Sequence, residues 1–544
     1  MGLERENSGA YPEGERDLKN GHPQERELYP IGIQTFTKIR EGGYVYVDKT
    51  RYVAKLAKDG GYYFLSRPRR FGKSLLISTL ECYFEGKREY FRGLAIDSMD
   101  IEWTQNPVVH LDFNSKNYDS VESLKEMLGS YLLAHEEKFG IEQSNAEVDE
   151  RFFRLIKEVH KQTGKRVVVL VDEYDKPLLS VIDNDELQAR YQAIMKGFYG
   201  VLKSADRYLQ FVMLTGVTRF GKVSVFSDLN NLRDISMEEG YDAICGITDQ
   251  ELHKYFQSGV ERLASKRNIS LDEAYGLLKY NYDGYHFSER LNDIYNPFSI
   301  LNSLAKSEIA NYWFETGTPT FLLSLIKNEN LDLSRLNGEI EYYASDLLGV
   351  MVTSQDAVPL LYQSGYLTIK RRDDFFKTVL LGYPNHEVED SFIKVLLPYY
   401  SSISKGHSIQ FINDLVRYIM SGDVDGFMSS LRSLLAQIPM HSHDEKLLEL
   451  HYHNMMYLIS RMVGLYVHTE YQTSVGRIDM VIETPNYIYV MEFKVDVSPE
   501  VALKQINDRN YTLPFKTDGR KILKIGASFS NETRTISSWV VETE

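Results

Sequence analysis

The sequence has little of what several protein classes require. Only two cysteines occur in its 544 residues, Cys82 and Cys245, which excludes a disulfide framework or a cysteine-rich zinc site and favours free thiols in a reducing compartment. No apolar run approaches the roughly 18 residues of a membrane span, and the first residues lack the apolar core of a signal peptide. Glu6 breaks the myristoylation pattern that a Met-Gly start suggests. The sequence therefore predicts a cytoplasmic protein with no membrane partner.

Positive charge is in the minority. The sequence has 62 Lys and Arg residues and 77 Asp and Glu residues, which gives a net charge of −15 at pH 7. Indiscriminate binding to nucleic acid is disfavoured because it depends on cations that neutralise phosphates. A local basic groove stays compatible with this charge, so a nucleic-acid partner has to be argued from a specific site.

The residues that are abundant indicate a folded protein of several domains. The hydrophobic fraction is 43%, and 38 Tyr and 26 Phe argue against extensive disorder. The length favours about two to four domains. Residues 1–28 are polar and without periodicity, which predicts a mobile leader.

The pattern along the rest of the chain predicts an α/β protein in three parts. In residues 29–255, continuous apolar runs of strand length alternate with amphipathic stretches, which is typical of a parallel sheet whose strands are buried on both faces. Residues 256–430 have mainly helical periodicity. Residues 431–544 show a helix, three strands, a helix and a strand, which predicts a small α/β module.

The segment RPRRFGKS, residues 67–74, lies between a strand-like run and a helical run. Its second half matches the phosphate-binding loop G-x-x-x-x-G-K-[ST], whereas Arg67 replaces the first Gly. In such a loop the backbone N–H groups cradle phosphates, Lys73 would reach the terminal phosphates, and the Ser74 hydroxyl would ligate Mg²⁺. The candidate phosphate-binding residues are Arg67, Arg69, Arg70, Gly72, Lys73 and Ser74.

A second motif supports a nucleotide site. The apolar run RVVVLVDEYD places Asp172 at the carboxyl end of a strand, where it can hold Mg²⁺, and Glu173 where it can polarise the attacking water. A buried strand followed by a solvated acidic turn would explain this run alone, but its order after the loop favours the nucleotide site. The next strand predicts Thr218 and Arg219 as contacts to the γ-phosphate, with a capping Thr and a surface Arg as the open alternative.

Several phrases together resemble the AAA-ATPase-like family of gut and other anaerobic bacteria, in which a PD-(D/E)XK nuclease-like domain follows the ATPase-like domain. The resemblance spans about residues 29–540 and implies ATP and Mg²⁺ as cofactors, a P-loop NTPase sheet, and Arg67 as part of the family's own loop. Asp48 and Lys49 also match the family pattern, without an assigned chemistry. The phrases are YPIGIQTFTKIREGGYVYVDKT, FLSRPRRFGKSLL, VVLVDEYDKPLL, LTGVTRFGKVSVFSDLNNL, YDGYHFS, YNPFSIL and WFETGTPTFLL.

The last module contains two acids and a lysine in a hairpin pattern. A hairpin centred between Pro485 and Asn486 places Asp479 opposite Glu492, and Lys494 points to the same face because side chains alternate along a strand. Two such acids can bind Mg²⁺ or Mn²⁺, and the lysine can orient a metal-bound water and stabilise charge on a phosphate. A solvated strand face is the alternative.

Neighbouring helices strengthen the interpretation as a nuclease site. A preceding helix carries Glu449 and a following helix carries Gln505, which resembles the PD-(D/E)XK pattern of a helix acid and a helix Gln that complete the site. Glu470 competes with Glu449 as the additional acid. A zinc site at His441 and its neighbouring histidines is disfavoured because no paired helix motif accompanies them.

The two site patterns in one chain predict a nucleotide-dependent nuclease. ATP binding or hydrolysis would gate metal-dependent cleavage of DNA or RNA. The alternative is a signalling or defence switch that binds nucleotide without appreciable turnover and uses its last module to bind nucleic acid. The choice between DNA and RNA, the oligomeric state, and a role of Arg219 in a neighbouring copy stay open.

Overall fold

The structure is a computed structural model of the chain. The predicted leader lies outside the described residues except for positions 27 and 28, and some side chains within helices and strands, including those of Glu449 and Glu470, also lie outside them. The structure describes residues 27–114, 119–219, 225–226, 229–314, 322–323, 326, 331–349, 357–401, 405–436, 445–463, 466–473, 476–533 and 535–544.

The first part of the chain folds as a sheet with surrounding helices. Its strands are short and apolar, and its helices have the amphipathic pattern expected for elements that cover a sheet. In chain order the elements are α1 Phe36–Glu41, α2 Thr50–Asp59, β1 Gly61–Ser66, α3 Lys73–Phe84, β2 Val108–Asp112, α4 Val121–Lys138, α5 Val148–Thr163, β3 Val167–Asp172, α6 Lys176–Ser180, α7 Asp185–Ser204, β4 Leu209–Gly216 and β5 Leu232–Asp234.

The strands of this sheet are parallel and lie in the order β2-β3-β4-β1-β5. Every residue of β3 is buried because the strand is apolar up to Asp172 and covered on both faces. The prediction of a parallel α/β sheet is therefore confirmed. Since β4 separates β1 from β3, the loop after β1 and the acidic end of β3 meet at one sheet edge, where ligands of such sheets bind.

The middle of the chain is mainly helical, as predicted. It also contains an antiparallel sheet with the strand order β8-β10-β9, which the sequence pattern did not predict because β9 is highly charged and the pairing of β10 with both neighbours contains register shifts. The elements are β6 Ile247–Thr248, α8 Asp249–Arg267, α9 Leu271–Tyr282, β7 Ile294–Tyr295, α10 Pro297–Lys306, β8 Asn337–Tyr343, α11 Ala344–Gly349, α12 Ala357–Ser364, β9 Thr368–Asp373, β10 Thr378–Gly382, α13 His386–Ser401, α14 Lys405–Ser421 and α15 Val424–Ala436.

The final part is a small α/β unit. Its sheet has the order β11-β12-β13-β14-β15, and only the β13–β14 pair is parallel because a helix connects these two strands. The predicted order of elements is confirmed, with β15 as an additional edge strand. The elements are α16 Glu445–Val463, β11 Tyr466–Thr473, β12 Gly476–Glu483, β13 Tyr487–Val495, α17 Pro499–Asp508, β14 Lys521–Ser530 and β15 Thr535–Thr543.

Side-chain hydrogen bonds join the middle region to the final unit. Asn454 on α16 accepts a hydrogen bond from the Leu333 N–H and donates one to the Leu331 carbonyl, both at 2.8 Å. The indole N–H of Trp539 donates to the Asp425 carboxylate at 2.8 Å. Within the part of the chain that the structure describes, no helix combines the length and apolar character needed to cross a membrane.

Candidate functional sites

The loop between β1 and α3 makes a tight turn before the helix. Arg70 has a φ of +68° and Gly72 a φ of +98°, in the left-handed region that costs glycine least. The helix then begins at Lys73 without a side-chain cap. The N–H groups of its first turn therefore point beyond the helix start with no capping side chain, which is the arrangement that binds phosphate.

A pocket of about 280 Å³ lies at this helix start, and we call it the loop pocket. Its lining includes residues predicted from the sequence, which are Arg69, Arg70, Gly72, Lys73, Ser74 and Glu173. The lining also includes the apolar residues Pro30, Ile33, Phe298 and Leu301. Phe298 reaches the pocket from α10, whose start is capped by the Asn296 side chain and preorganised by Pro297.

Lys73 and Glu173 approach the loop pocket from α3 and from the end of β3. The buried Lys73 ammonium donates hydrogen bonds to the carbonyl oxygens of Arg67 at 2.9 Å and Pro68 at 3.1 Å. Both acceptors are neutral and can be exchanged for phosphate oxygens, so the lysine can bind an anion. Burial raises the pKa of Glu173, although the Lys73 charge acts in the opposite direction. A carboxylate with a raised pKa suits a general base.

Asp172 directly precedes Glu173, and the neighbouring strand β4 holds its carboxylate. The Thr215 hydroxyl on β4 donates a hydrogen bond to Asp172 Oδ1 at 2.5 Å, and the Glu173 N–H donates to the same atom at 3.1 Å. The sequence pattern alone gave Thr215 no role. Adjacency of β3 and β4, which the sequence alone does not reveal, makes it the residue that fixes the acidic carboxylate.

Arg67 is buried in the fold, so the expectation that it contacts phosphate is wrong. Its guanidinium donates hydrogen bonds to the carbonyl oxygens of Ser66 at 2.8 Å, Ser236 at 2.7 Å and Tyr241 at 3.0 Å. It also lies over the Phe287 ring, 4.2 Å from the centroid. Arg67 therefore stabilises the loop from the protein interior. The first Gly of a standard loop has no side chain to make these contacts.

The hairpin of the final unit has the predicted register. Met480 pairs with Met491, and the pairs between them and the turn keep the same register. The next position away from the turn therefore brings Asp479 beside Glu492. Asp479 Oδ2 accepts a hydrogen bond from the Phe493 N–H at 2.8 Å, which fixes this carboxylate against β13. The two acids therefore meet across β12 and β13.

Glu492 is buried and is only partly satisfied. Its Oε1 accepts hydrogen bonds from the Lys494 ammonium at 2.9 Å and from the Gln505 amide of α17. Its Oε2 is buried and has no hydrogen-bond partner among the residues described. Burial raises the pKa of Glu492, with a further increase from the nearby Asp479 charge, and burial also raises the pKa of Asp479.

These two carboxylates fit a divalent cation. A cation would offset the repulsion that raises the Glu492 pKa, and it would give the buried Oε2 a partner. The side chains within the described ranges include no group of three or more potential metal-ligating His, Cys, Asp or Glu residues. Glu449, the predicted third acid, lies on α16, but its side chain is outside the description.

Comparisons with known proteins agree with this architecture. The "Uncharacterized protein in vnfD 5'region" of Azotobacter chroococcum mcd 1 is 36% identical over 529 residues, which cover 95% of this chain and 99% of that protein. The family model described as a predicted AAA-ATPase matches residues 30–226. The chain belongs to the predicted AAA-ATPase family. It also carries a domain of the PD-(D/E)XK nuclease superfamily, matched at residues 447–539.

A comparison with solved structures adds little to this assignment. The Aeropyrum pernix ORC2 protein, solved as ADPNP-ADP complexes, is 13% identical with a TM-score of 0.24, and the match covers 69% of this chain and 95% of that one. A TM-score this low supports no common arrangement. The AAA-ATPase description comes from the family model matched at residues 30–226.

Two residues predicted as γ-phosphate contacts of the AAA-ATPase unit lie outside the loop pocket. The Thr218 hydroxyl donates a hydrogen bond to the buried Asp175 carboxylate at 2.7 Å. The Arg219 guanidinium pairs with Asp234 at 2.9 Å, and its backbone N–H donates to Gln363. These contacts make both residues part of the scaffold in this structure.

The two family-pattern residues that had no assigned chemistry have structural contacts. Asp48 Oδ1 accepts hydrogen bonds from the Thr50 N–H at 2.9 Å and the Thr50 hydroxyl at 2.6 Å. Lys49 donates to both carboxylate oxygens of Glu251 on α8 at 2.7 and 2.6 Å, and burial lowers its pKa. In this AAA-ATPase-like unit, Lys49 therefore ties the first part of the chain to the middle region.

Other predictions for the nuclease-like domain have mixed outcomes. Gln505 reaches Glu492 as predicted, and Tyr511, which had no sequence signal, lies 3.4 Å from the Gln505 amide. His453 bonds to the Ser334 hydroxyl at 3.2 Å. The disfavoured histidine site at His441 and His443 lies outside the described residues, and so does the side chain of Glu470, the competing acid.

Proposed function

We propose that this protein is an ATP-dependent, metal-dependent nuclease in which ATP binding or hydrolysis gates cleavage of nucleic acid. The observation that carries the proposal is the arrangement around Glu492, where Lys494 and Gln505 hold one oxygen, the other is buried without a hydrogen-bond partner among the described residues, and Asp479 lies beside it. Such a group combines metal ligands with a cation that can stabilise a phosphate.

In the nucleotide site, the predicted residues at the loop pocket and at the end of β3 have roles that suit their positions. Lys73 would exchange its two carbonyl partners for the terminal phosphates, and Arg69 and Arg70 would add positive charge at the exposed side of the loop pocket. Ser74 would ligate Mg²⁺ directly. Asp172 would hold Mg²⁺ through water, and Glu173 would activate the attacking water.

In the nuclease-like site, Asp479 and Glu492 would hold Mg²⁺ or Mn²⁺, with Glu449 as the third acid. A bound divalent cation supplies acidity to a coordinated water and neutralises charge on the phosphate. Lys494 would orient this water and stabilise the phosphate in the transition state. Gln505 would keep Glu492 in position through its hydrogen bond to Oε1.

The middle region offers a physical route for gating. The Trp313 indole N–H binds the Arg69 carbonyl in the phosphate loop, and the Trp313 backbone N–H binds Glu387 on α13 at 2.7 Å. The ion pair of Glu389 on α13 with Arg461 links this helix to α16, which leads into the nuclease-like sheet. A change at the loop can therefore move an element that is attached to the second site.

The decisive experiment measures cleavage of labelled DNA and RNA, single- and double-stranded, with Mn²⁺ or Mg²⁺ and with or without ATP. Asp479→Ala and Glu492→Ala should abolish cleavage, whereas Glu500→Ala, an exposed acid on α17, should retain it. Lys73→Ala should remove the dependence on ATP. Equal cleavage by Glu492→Ala and wild type would contradict the proposed nuclease site.

A second candidate is a nucleotide-binding switch with little ATP turnover. It is favoured by the loop itself, since Arg67 replaces the first Gly and Lys73 is engaged by loop carbonyls. ATP binding without phosphate release by wild type, unchanged by Glu173→Gln, would support the switch. Phosphate release that Glu173→Gln abolishes would support the ATPase.

A further inference from the structure

Three exposed aromatic side chains lie at one end of the small sheet in the middle region. Phe375 is 86% exposed, Phe376 is 63% exposed and Tyr343 is 60% exposed. The two Phe residues occupy the turn between β9 and β10, and Tyr343 ends β8 directly opposite Thr378 at the start of β10. We call these three residues the aromatic tip. Large apolar side chains so exposed and grouped together indicate a binding surface.

The turn that carries the aromatic tip is well ordered by hydrogen bonds. Asp373 Oδ1 accepts from the N–H groups of Phe375 at 2.9 Å and Phe376 at 3.0 Å. The Ala344 N–H donates to the Lys377 carbonyl at 3.1 Å, which fastens the turn to the end of β8. The two Phe rings are perpendicular, with centroids 4.9 Å apart. These hydrogen bonds therefore hold the backbone of the turn in a conformation that leaves both rings exposed.

Two exposed cations lie beside the aromatic tip and can meet an anionic partner. The acids nearby are already engaged: Asp373 accepts from backbone N–H groups, and Arg372 pairs with both Asp374 and Glu289. Arg371 and Lys377 are exposed, and among the residues that the structure describes neither has an ion-pair partner. Two cations beside two exposed rings provide what single-stranded nucleic acid requires, which is ring faces for bases and positive charge for phosphates.

We propose that the aromatic tip binds single-stranded nucleic acid by stacking unpaired bases on Phe375 and Phe376, with Arg371 and Lys377 facing the phosphates. This inference rests on the proposed nuclease function and adds a substrate-holding site outside the metal site. A protein partner is less well matched because the three rings are surrounded by charged side chains rather than by a continuous apolar area. A second copy of the chain would have to bury this charged rim.

The test measures binding of fluorescein-labelled oligo-dT and oligo-U of about 16 nucleotides to the full-length protein by anisotropy, in EDTA to prevent cleavage. The double variant F375A/F376A should bind both probes about 10- to 100-fold more weakly, as expected from the loss of base stacking. The double variant F375W/F376W keeps two aromatic rings and should bind both probes about as tightly as wild type. Tyr280→Ala removes an aromatic side chain that is equally exposed, at 62%, on another element, and should leave the affinity unchanged.

The salt dependence gives a second readout. The double variant R371A/K377A should reduce the slope of log affinity against log salt by about one to two, because it removes two phosphate contacts. An unchanged affinity in F375A/F376A overturns the proposal. Light scattering measures whether the variant has also lost a dimer. If probe binding is lost only together with the dimer, the proposal is overturned as well, because the tip would then hold a second copy.

The aromatic tip and the proposed nuclease function can fail separately. A wild-type protein that cleaves duplex DNA but binds neither probe overturns the aromatic tip and leaves the nuclease intact. A wild-type protein that binds both probes through Phe375 and Phe376 but cleaves no substrate with Mn²⁺ supports the tip and contradicts the nuclease.

Discussion

The indole N–H of Trp313 donates a hydrogen bond to the backbone carbonyl of Arg69, 3.0 Å away. Trp313 belongs to the middle region and packs on Tyr366, with ring centroids 5.3 Å apart, whereas Arg69 lies in the phosphate loop. The middle region thus holds the main chain of the loop directly. A shift of the middle region would therefore change the backbone geometry of the loop pocket.

Trp313→Phe should weaken ATP binding while leaving the fold intact. The substitution keeps an aromatic ring and removes one N–H donor, a change of about 1 kcal/mol or about fivefold in affinity. Titration with a fluorescent ATP analogue measures this effect. Trp103→Phe, in the first part of the chain and away from the loop pocket, is the matched control. Equal affinities for both variants would show that the hydrogen bond does not support the site.

Thr215→Val should separate nucleotide binding from hydrolysis. The Thr215 hydroxyl fixes the carboxylate of Asp172, so its removal leaves a proposed metal-holding group free to reorient. We expect phosphate release to fall at least about tenfold and ATP affinity to change little. Thr215→Ser restores the donor and should recover most of the activity. A parallel loss of binding and hydrolysis in Thr215→Val would instead indicate damage to the pocket.

Arg67→Gly would restore the standard loop sequence but should destabilise the protein. It leaves four carbonyl oxygens without their guanidinium donor, at a cost on the order of 3 kcal/mol. Urea unfolding measures the change. Arg70→Gly is the control, because Arg70 is exposed and its φ of +68° suits glycine, so its stability should be unchanged or slightly higher. An equally stable Arg67→Gly variant would contradict this stabilising role.

The contrast between Arg67 and Lys73 shows where sequence pattern succeeds and where it stops. Lys73 and Ser74 could be placed because loop chemistry is local: the residue types, their spacing and the following helix are enough. Asp479 and Glu492 could be placed because a tight hairpin fixes its own register. Arg67 was misplaced because its partners, Ser236 and Tyr241, are about 170 residues away along the chain.

Roles that depend on the order of strands in the sheet could not be predicted from the sequence for the same reason. Thr215 acts through Asp172 only because β4 lies next to β3. Thr218 and Arg219 were assigned from their place after a strand, but Asp175 and Asp234 bind their side chains. The aromatic tip had no signal at all, because exposure is a property of the folded chain.

Acidification should stabilise the protein through Asp283. Burial raises the pKa of Asp283 to about 6, above its ordinary 3.8, although Lys279 lies 3.4 Å away. The folded state therefore holds this proton more tightly than the unfolded state, and its contribution to stability is lost as the pH rises from about 4 through 6. The loss is on the order of 3 kcal/mol.

Asp283→Asn should remove this dependence, since the amide has no proton to lose. The variant should be more stable than wild type at pH 7, with the difference shrinking toward pH 4. Chemical unfolding at several pH values measures it, and Asp272→Asn, on the exposed first turn of α9, is the control. A constant stability difference between Asp283→Asn and wild type across this range would assign the effect to packing rather than to titration.

Removal of divalent metal should lower the thermal stability of wild type, and Glu492→Gln should abolish this effect. Mn²⁺ at 100 times its dissociation constant stabilises a folded site by about 2.7 kcal/mol, and EDTA should reverse it. Because the pKa values of Asp479 and Glu492 are raised, protons compete with the metal at a higher pH than for ordinary carboxylates, so the stabilisation should shrink as the pH falls. The measurement omits ATP, so that the loop pocket binds no nucleotide-linked metal. Glu500→Gln should keep the wild-type response, and an equal Mn²⁺ shift in Glu492→Gln would place the metal elsewhere.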